Sequence, residues 1–307
     1  MNNVVLDGLF RPKSVAVIGA SATPGKIGYS VVEALLNGKY EGDIYPINLK
    51  LDEILGVNAY KSILDLKDKV DLAVVTIPAK LVPNAVEECG KAGVKGVSVI
   101  TSGFGEVGDH ETEKKLVETA HKYGMRMLGP NIIGTLSNSD KCNASFATML
   151  PLDGSGSLIS QSGALLIALD MGTYLRGVGF DKLISLGNMA DVDFADIIDW
   201  LQDDPAVNCI SLYIEGLKDG RRFMEVCRKS KKPVIALKSG VSAHGAAAAA
   251  SHTGSLAGAA AVYGNAFEQA GVIQATSLNN LFDLTQAFEL QPPMLGDNSA
   301  KDRKSVV

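Results

Sequence analysis

The segment Ser242–Gly258 places a histidine among small residues. It holds two of the four histidines of the chain, and His252 lies in Ser-His-Thr-Gly, directly before a helix-like run. Small residues let a large ligand approach the imidazole closely, and a neutral histidine has one unprotonated, nucleophilic ring nitrogen near neutral pH. The segment is therefore open to two interpretations: a solvated loop, or a loop whose His252 accepts a phosphoryl group.

Two further motifs follow predicted strands. Ser160-Gln161-Ser162-Gly163 joins the strand predicted over 157–159 to a helix, whose first N–H groups could bind an anion. Glu215 follows the strand predicted over 209–214 and could orient an imidazole. The alternative for the serine motif is an ordinary helix cap, and the alternative for Glu215 is a solvated loop acid. Because sites in open parallel sheets lie outside the carboxyl ends of the strands, we expect both motifs to meet His252 there.

A glycine-rich segment, residues 19–28, joins the first predicted strand to a helix. Its glycines allow a tight turn, and the helix start presents N–H groups to a phosphate. Lys50 lies just after the second predicted strand. Proteins that bind NAD commonly have an aspartate or glutamate at this position. A lysine favours an additional phosphate, either the 3′-phosphate of coenzyme A or the 2′-phosphate of NADP.

The elements that must position these residues alternate between short apolar runs and amphipathic stretches. This alternation predicts an α/β protein of two doubly wound parallel sheets, end to end, in domains 1–140 and 150–290, with an unpatterned and mobile tail over 291–307. A polar connection, Leu136–Asp153, separates the two. The predicted strands are 14–18, 43–47, 72–77, 96–100, 125–128, 157–159, 182–185, 209–214 and 233–237. The predicted helices are 26–36, 82–92, 112–123, 164–176, 194–203, 220–230 and 255–269.

Length, charge and composition narrow the class of protein. The 307 residues suit two domains, and a net charge of −5 without a basic stripe argues against nucleic acid as a partner. No signal peptide and no apolar run of about 18 residues is visible, which predicts a cytoplasmic protein without a membrane partner. The cysteines are widely spaced and predict buried free thiols rather than a disulfide framework or a metal site: Cys89, Cys142, Cys209 and Cys227.

At this point the sequence resembles the α-type part of the NDP-forming acyl-CoA synthetases, the superfamily of succinyl-CoA synthetase and the ADP-forming acetyl-CoA synthetases. The resemblance runs from about residue 7 to residue 290. Its strongest pieces are Ser160–Gly163, Tyr213-Ile214-Glu215-Gly216 and Ser251-His252-Thr253-Gly254-Ser255-Leu256-Ala257-Gly258. Ser102-Gly103-Phe104-Gly105-Glu106 and Gly129-Pro130-Asn131 support it.

The resemblance implies a role for each motif. The first domain is expected to be a Rossmann-like domain that binds coenzyme A, and the second to be flavodoxin-like. His252 is expected to be phosphorylated, with Glu215 stabilising it and Ser160, Gln161, Ser162 and Gly163 binding phosphate. No metal site is expected in this chain. The residues expected to bind coenzyme A are Pro24, Gly25, Lys26, Ile27, Lys50, Thr101, Ser102, Gly103 and Asn131.

The implied reaction converts acyl-CoA, ADP and phosphate into a carboxylic acid, CoA and ATP through an acyl phosphate and a phosphohistidine. The nucleotide site of this family lies in an ATP-grasp module, which no part of the 307 residues resembles. We therefore expect a heteromer in which an ATP-grasp β-type subunit brings ADP and Mg²⁺. Two alternatives stay open: a non-catalytic CoA-binding or regulatory module, and an NADP-linked oxidoreductase.

Overall fold

The computed structural model describes residues 3–240 and 260–291, which form two parallel-sheet units with helices packed on them. The fold is α/β, as predicted, with a Rossmann-like first half and a flavodoxin-like second half. The strands of the first half are β1 Ser14–Ile18, β2 Asp43–Ile47, β3 Glu53–Ile54, β4 Val57–Asn58, β5 Leu72–Val75, β6 Gly96–Val99 and β7 Arg126–Leu128.

The first sheet contains five parallel strands in the spatial order β2-β1-β5-β6-β7, and β3 and β4 form a separate short hairpin. Strand β1 is buried along its whole length, since helices cover both faces of a parallel sheet. Its two neighbours, β2 and β5, follow it in opposite directions across the sheet. That reversal of strand order opens a crevice beyond the carboxyl end of β1, which is where parallel sheets bind ligands.

Four helices belong to the first half: α1 Asn3–Phe10, α2 Ile27–Asn37, α3 Val82–Lys91 and α4 His110–Lys122. Helix α2 begins directly after the glycine-rich segment and buries Val31, Val32 and Leu35. Asp109 directly precedes helix α4, and its carboxylate caps the helix by accepting a hydrogen bond from the N–H of Thr112 at 3.1 Å. Both starts lie at the carboxyl edge of the first sheet.

The second sheet has seven strands in the order β14-β13-β12-β10-β11-β8-β9. Strands β10 to β14 run parallel, whereas β8 and β9 are antiparallel to their neighbours. The strand order reverses at β10, so this sheet also opens a crevice where β10 ends. The strands are β8 Gly134–Ser137, β9 Cys142–Ser145, β10 Gly156–Ser160, β11 Phe180–Ser185, β12 Cys209–Ile214, β13 Val234–Lys238 and β14 Ile273–Gln274.

Five described helices pack on the second sheet: α5 Gly163–Arg176, α6 Phe194–Leu201, α7 Gly220–Lys229, α8 Ala260–Ala270 and α9 Leu278–Leu290. The helix predicted over 255–269 is described from residue 260 onward, and its first five residues lie outside the described part. Helix α9 was not predicted from the sequence. The tail predicted over 291–307 lies outside the described residues except for Gln291.

The predicted polar connection over 136–153 is wrong in its first half. Strands β8 and β9 form a hairpin there, and β8 pairs with β11 of the second sheet. The division into domains 1–140 and 150–290 stays a prediction. The hairpin spans residue 140 and hydrogen-bonds to the second sheet.

The two halves of the chain pack closely against each other. One apolar cluster includes Leu35 of the first half together with Ala144 and Ile184 of the second. Polar contacts supplement this packing: the indole of Trp200 donates to Asp7 at 2.9 Å, and the guanidinium of Arg126 pairs with Asp191 at 2.9 Å. Loops from both halves are therefore held in fixed relative positions at the joint.

All four cysteines are buried free thiols, as predicted. Burial raises the pKa of each of these thiols to about 12. They are accordingly inert as nucleophiles near neutral pH. Within residues 3–240 and 260–291, no helix is long and apolar enough to cross a membrane.

Candidate functional site

The first cavity opens at the carboxyl edge of the first sheet and has a volume of about 800 Å³. Gly25, Lys26, Ile27 and Lys50, four of the residues expected to bind coenzyme A, line it, whereas Pro24 does not. Gly19 and Gly25 adopt φ of +90° and +82°, a backbone conformation that glycine adopts without strain. The glycine-rich segment thereby turns back sharply from β1 and leaves room above the strand ends.

The start of helix α2 faces this cavity without a side-chain cap. Lys26 has extended φ and ψ and makes no capping hydrogen bond. The first N–H groups of a helix have no partner within the helix, so those of Ile27 and Gly28 are available to an anion. Lys26, Lys50 and Lys61 add three cationic side chains to the lining. This lining suits a ligand with several phosphates.

Asn48 fixes the strand end that presents Lys50. Its amide donates to the carbonyl of Ala20 at 2.8 Å, and its carbonyl oxygen accepts from the N–H of Lys50 at 2.8 Å and of Leu51 at 3.0 Å. The asparagine thus ties the end of β2 to the glycine-rich segment. The sequence analysis missed it, although asparagine at a strand end is a common signal of such a turn.

The second cavity, of about 650 Å³, lies between the two halves and continues from the first, because both are lined by Ile27, Thr76 and Ile77. Thr101, Ser102 and Asn131, which were expected to bind coenzyme A, line it, and so do Ser162 and Gly163. Gly103 does not line it. The remaining lining is largely apolar: Pro78, Ile100, Ile132, Ile133, Phe146 and Ala164.

Helix α5 begins at this second cavity. The hydroxyl of Ser162 accepts from the N–H of Leu165 at 3.4 Å and caps the helix. Ser160 is fully buried, and its hydroxyl donates to the carbonyl of Ser162 at 2.8 Å, which shapes the turn before the helix. The N–H groups of Gly163 and Ala164 have no intrahelical partner and can bind an anion.

Gln161 connects the end of β10 to the loop that follows β12. Its side-chain oxygen accepts hydrogen bonds from the N–H of Glu215 at 2.6 Å and of Gly216 at 3.0 Å. The sequence therefore predicted the meeting of these two motifs correctly. The sequence did not predict the hydrogen bonds between Gln161 and the Glu215 loop. Gln161 was expected to bind phosphate, and in the structure its side-chain oxygen holds this loop.

The third cavity, of about 270 Å³, lies beyond Gln161 and Asn131, which line both it and the second cavity. Its other polar lining residues come from both halves: Glu106, His110, Glu113, Asn188, Glu215, Lys218 and Tyr263. Glu215 is therefore close to the start of α5 but on the far side of Gln161. His110 also lines this cavity.

Lys218 is the only lysine or arginine that lines the third cavity in the described part of the chain. Its ammonium group donates to the carbonyl of Met189 at 2.6 Å. Burial lowers the pKa of Lys218 below its ordinary value, and the carboxylates of Glu113, Asp193 and Asp191 oppose that effect. The cavity therefore combines carboxylates with one partly desolvated cation.

His252 lies outside the described residues, as does His244. The residues on either side of 241–259 are described, and those at both edges of this gap lie near the third cavity. Tyr263 of helix α8 lines that cavity, and the ammonium group of Lys238, at the end of β13, lies 4.8 Å from the Tyr263 ring centroid. Among the described residues, no group of three or more histidine, cysteine, aspartate or glutamate side chains could hold a metal ion.

Comparison with known proteins shows two family matches. The CoA binding domain matches residues 13–138, and the succinyl-CoA ligase like flavodoxin domain matches residues 153–288. The boundary between these matches falls within the chain segment that contains the β8–β9 hairpin.

Relatives match nearly the whole chain. The α subunit of ADP-forming acetate–CoA ligase I from Pyrococcus furiosus is 52% identical over 95% of this chain and 65% of the relative. The ADP-forming acetate–CoA ligase of Methanocaldococcus jannaschii is 49% identical over 92% of this chain and 40% of the relative. The chain thus spans less than two thirds of the length of these relatives.

A solved structure also matches. It is that of the dinucleotide-forming acetyl-coenzyme A synthetase 1 of Ca. Korarchaeum cryptofilum in complex with phosphate and ADP. It superposes with a TM-score of 0.91 at 45% identity, and the match covers 94% of this chain and 63% of that chain.

Proposed function

Because the chain belongs to the NDP-forming acyl-CoA synthetase superfamily, as an α-type chain, we propose that it is the CoA-binding and phosphohistidine part of an ADP-forming, acetate–CoA ligase-like enzyme. The observation that carries the proposal is the continuity of the three cavities. Ile27 and Ile77 line the first and the second, and Asn131 and Gln161 line the second and the third. A ligand with phosphates at one end and a thioester at the other fits this path.

In the first proposed step, the loop Gly25–Ile27 and Lys50 bind the phosphates of acyl-CoA, and its arm extends into the second cavity. Phosphate binds at the N–H groups of Gly163 and Ala164. One of its oxygens attacks the thioester carbonyl, the C–S bond breaks, and CoA leaves as the thiolate. Helix N–H groups stabilise the negative charge that develops on phosphate and substrate.

In the second proposed step, a ring nitrogen of His252 attacks the phosphorus of the acyl phosphate. The bond from phosphorus to the acyl oxygen breaks, and the free carboxylate leaves. Glu215 accepts the N–H of the other ring nitrogen, which orients the imidazole and raises the nucleophilicity of the attacking nitrogen. The phosphohistidine then passes its phosphoryl group to ADP.

We assign ADP and Mg²⁺ to an ATP-grasp β-type partner subunit. When bound with the nucleotide, Mg²⁺ neutralises phosphate charge during transfer. The four free thiols fit the reducing conditions of the cytoplasm, where we place the enzyme.

A comparison of CoA with NADPH tests this proposal on the chain alone. CoA is expected to raise the free energy of unfolding by about 2.7 kcal/mol at about 100 times its dissociation constant. Thermal unfolding with each ligand separately measures this. Stabilisation by NADPH and not by CoA would contradict the proposal and favour the oxidoreductase. Stabilisation by CoA, without phosphohistidine formation when the partner is present, would favour a non-catalytic module.

Substitution of Gly28 by alanine is expected to weaken CoA binding. A Cβ at Gly28 would lie 2.1 Å from the backbone oxygen of Gly19, so helix α2 must move away from the turn that follows β1. Such overpacking costs about 1–3 kcal/mol, and each ~1.4 kcal/mol that falls on binding is a tenfold loss of affinity. Calorimetric titration with CoA measures the loss.

Gly220→Ala is the matched control for Gly28→Ala. Gly220 also lies in the first turn of a helix, and a Cβ there has no atom within 4 Å. Its CoA affinity should equal that of the wild type. Equal affinities for all three proteins would mean that the close approach of α2 to Gly19 does not shape the phosphate site.

A further inference from the structure

Asn188 contacts two carboxylates of the first half from its position beyond the end of β11. Its side-chain amide donates to Glu106 Oε2 at 2.6 Å and to Glu113 Oε2 at 2.6 Å. The residues on either side, Gly187 and Met189, have positive φ, which turns the loop back so that Asn188 reaches across the joint. The NH₂ group of Asn188 thus donates both of its hydrogens to carboxylates of the first half.

The two carboxylates in turn hold a loop that the CoA-binding half contributes. Glu106 accepts from the N–H of Gly103 and, at 3.3 Å, from that of Phe104. Glu113 accepts from the N–H of Gly105 at 3.1 Å. Three consecutive backbone N–H groups therefore depend on the two carboxylates that Asn188 bridges. This loop begins with Thr101 and Ser102, which line the second cavity.

Asn188 is also tied to the chain between the two halves. Its backbone N–H donates to the carbonyl of Pro130 at 3.0 Å, and its side-chain oxygen lies 3.3 Å from the donating amide nitrogen of Asn131. The N–H of Asn131 donates to the carbonyl of Thr101 at 3.1 Å. The loop of residues 101–106 is therefore held from both ends, and Asn188 takes part at each end.

Neutral asparagine suits this position because it supplies two donors without a charge. Burial tends to raise the pKa of Glu106, but the hydrogen bonds from Asn188, Gly103 and Phe104 more than offset this and lower that pKa. The other charged or titratable groups that line the same cavity are His110 at the start of α4, Glu215 and Lys218 from the second half, and Tyr263 of α8.

We propose that Asn188 is a positioning residue that holds the loop of residues 101–106 against the second half, and so aligns the thioester with phosphate at the start of α5. This inference rests on the proposed function. Asn188 lines neither the first nor the second cavity, where CoA and phosphate bind. It acts through the loop, and its loss should affect kcat more than the binding of CoA.

Asn188→Asp tests this in the complex of the chain with its ATP-grasp partner. The variant places three carboxyl groups together, and like charges raise the pKa of such a group. Below that raised pKa the cluster keeps a proton that can make one bridging hydrogen bond. Above it, three carboxylates repel and release the loop. We expect kcat to fall about 10- to 100-fold at pH 8 and to recover in part at pH 6.

Asn208→Asp is the matched control, because Asn208 precedes β12 at the opposite edge of the sheet, where its side-chain amide donates to the hydroxyl of Ser155 at 3.0 Å in an exposed contact. Each rate is expressed relative to wild type at the same pH, which removes the pH effects that the variant and the wild type share. KM for CoA is expected to change less than about threefold in Asn188→Asp. A wild-type kcat at both values of pH overturns the proposal.

Hydrogen exchange of the full chain separates this proposal from the proposed function. The N–H groups of Gly103, Phe104 and Gly105 should exchange faster in Asn188→Asp than in the control at pH 8, and less so at pH 6. Unchanged exchange overturns the loop-holding role. Equal loss at both pH values, together with a lowered unfolding temperature, indicates a merely structural role and also overturns it. If the wild-type complex lacks turnover, the proposed function fails, and the exchange result still decides the role of Asn188.

Discussion

Replacing His252 with asparagine is expected to abolish formation of ATP from acyl-CoA, ADP and phosphate. The side-chain amide of asparagine is not a nucleophile, so the acyl phosphate has no acceptor on this chain. Loss of an essential nucleophile lowers kcat by about 10⁴-fold or more. The first step uses the start of α5 and the CoA cavity rather than His252. Release of CoA and formation of acyl phosphate, in an amount up to that of the enzyme, should therefore persist in the variant.

The measurement uses the chain with its ATP-grasp partner and acetyl-CoA. Phosphate labelled with ³²P, or ATP labelled at its γ-phosphate, should produce an acid-labile and base-stable label on the wild type and none on His252→Asn. His244→Asn is the matched control, since it lies in the same small-residue segment and should keep the label. A labelled His252→Asn chain would place the phosphoryl acceptor elsewhere and contradict the mechanism.

Buried apolar runs made most of the fold predictable. Strands β1 and β12 have the predicted bounds, because five or six consecutive apolar or small residues between helical stretches have few other ways to be buried. Strand β2 also has the predicted bounds, although only Pro46 and Ile47 of its five residues are buried. The β8–β9 hairpin was missed for the opposite reason. Asn143 and Ser145 of β9 are polar but buried, and they satisfy each other through a hydrogen bond of 2.6 Å. Polar residues that are paired in this way resemble a loop in the sequence.

Helix α9 had signals that the sequence analysis did not use. Ser277 caps it by accepting from the N–H of Asn280 at 3.1 Å, and Leu281, Phe282 and Thr285 are buried at helical spacing. Both a cap residue and the apolar period were readable. Helix α9 could therefore have been predicted from the sequence. The β8–β9 hairpin could not, because its prediction depends on which polar groups pair in the folded protein.

The candidate site was predictable to the level of strand ends but not of side-chain contacts. The rule that parallel sheets bind ligands at their carboxyl edges correctly brought Gln161 and Glu215 together. It could not show that Gln161 holds the loop of Glu215, because that depends on a rotamer and on a backbone distance. Asn188 was missed because its partners, Glu106 and Glu113, lie about 80 residues away in the chain.

Glu215→Gln is expected to lower the rate of phosphoryl transfer to His252 about 10²- to 10⁴-fold. Glutamine keeps the shape and one acceptor oxygen, but it loses the charge that stabilises the imidazolium character developing on His252. The backbone of this loop should not move, because Gln161 holds the N–H groups of Glu215 and Gly216, whatever side chain residue 215 has. The change is therefore confined to the carboxylate.

Rapid-quench labelling from γ-labelled ATP with the partner present measures the rate, and calorimetric titration with CoA should give a wild-type dissociation constant. Glu225→Gln is the matched control, because Glu225 is exposed on α7 and its substitution removes the same charge at a distant position. Glu215→Asp withdraws the carboxylate by about 1.5 Å and should lie between the wild type and Glu215→Gln. A wild-type labelling rate in Glu215→Gln would exclude the carboxylate from phosphoryl transfer.

The double variant Glu215→Gln with His252→Asn decides whether Glu215 acts through the histidine. If its only role is to orient and stabilise His252, the residual ATP formation of the double variant should equal that of His252→Asn alone, since groups that act as a unit are strongly non-additive. A further loss would mean that Glu215 also acts on the acyl phosphate. Since Gln161 and Asn131 lie between Glu215 and the second cavity, where the acyl phosphate would form, we expect no further loss.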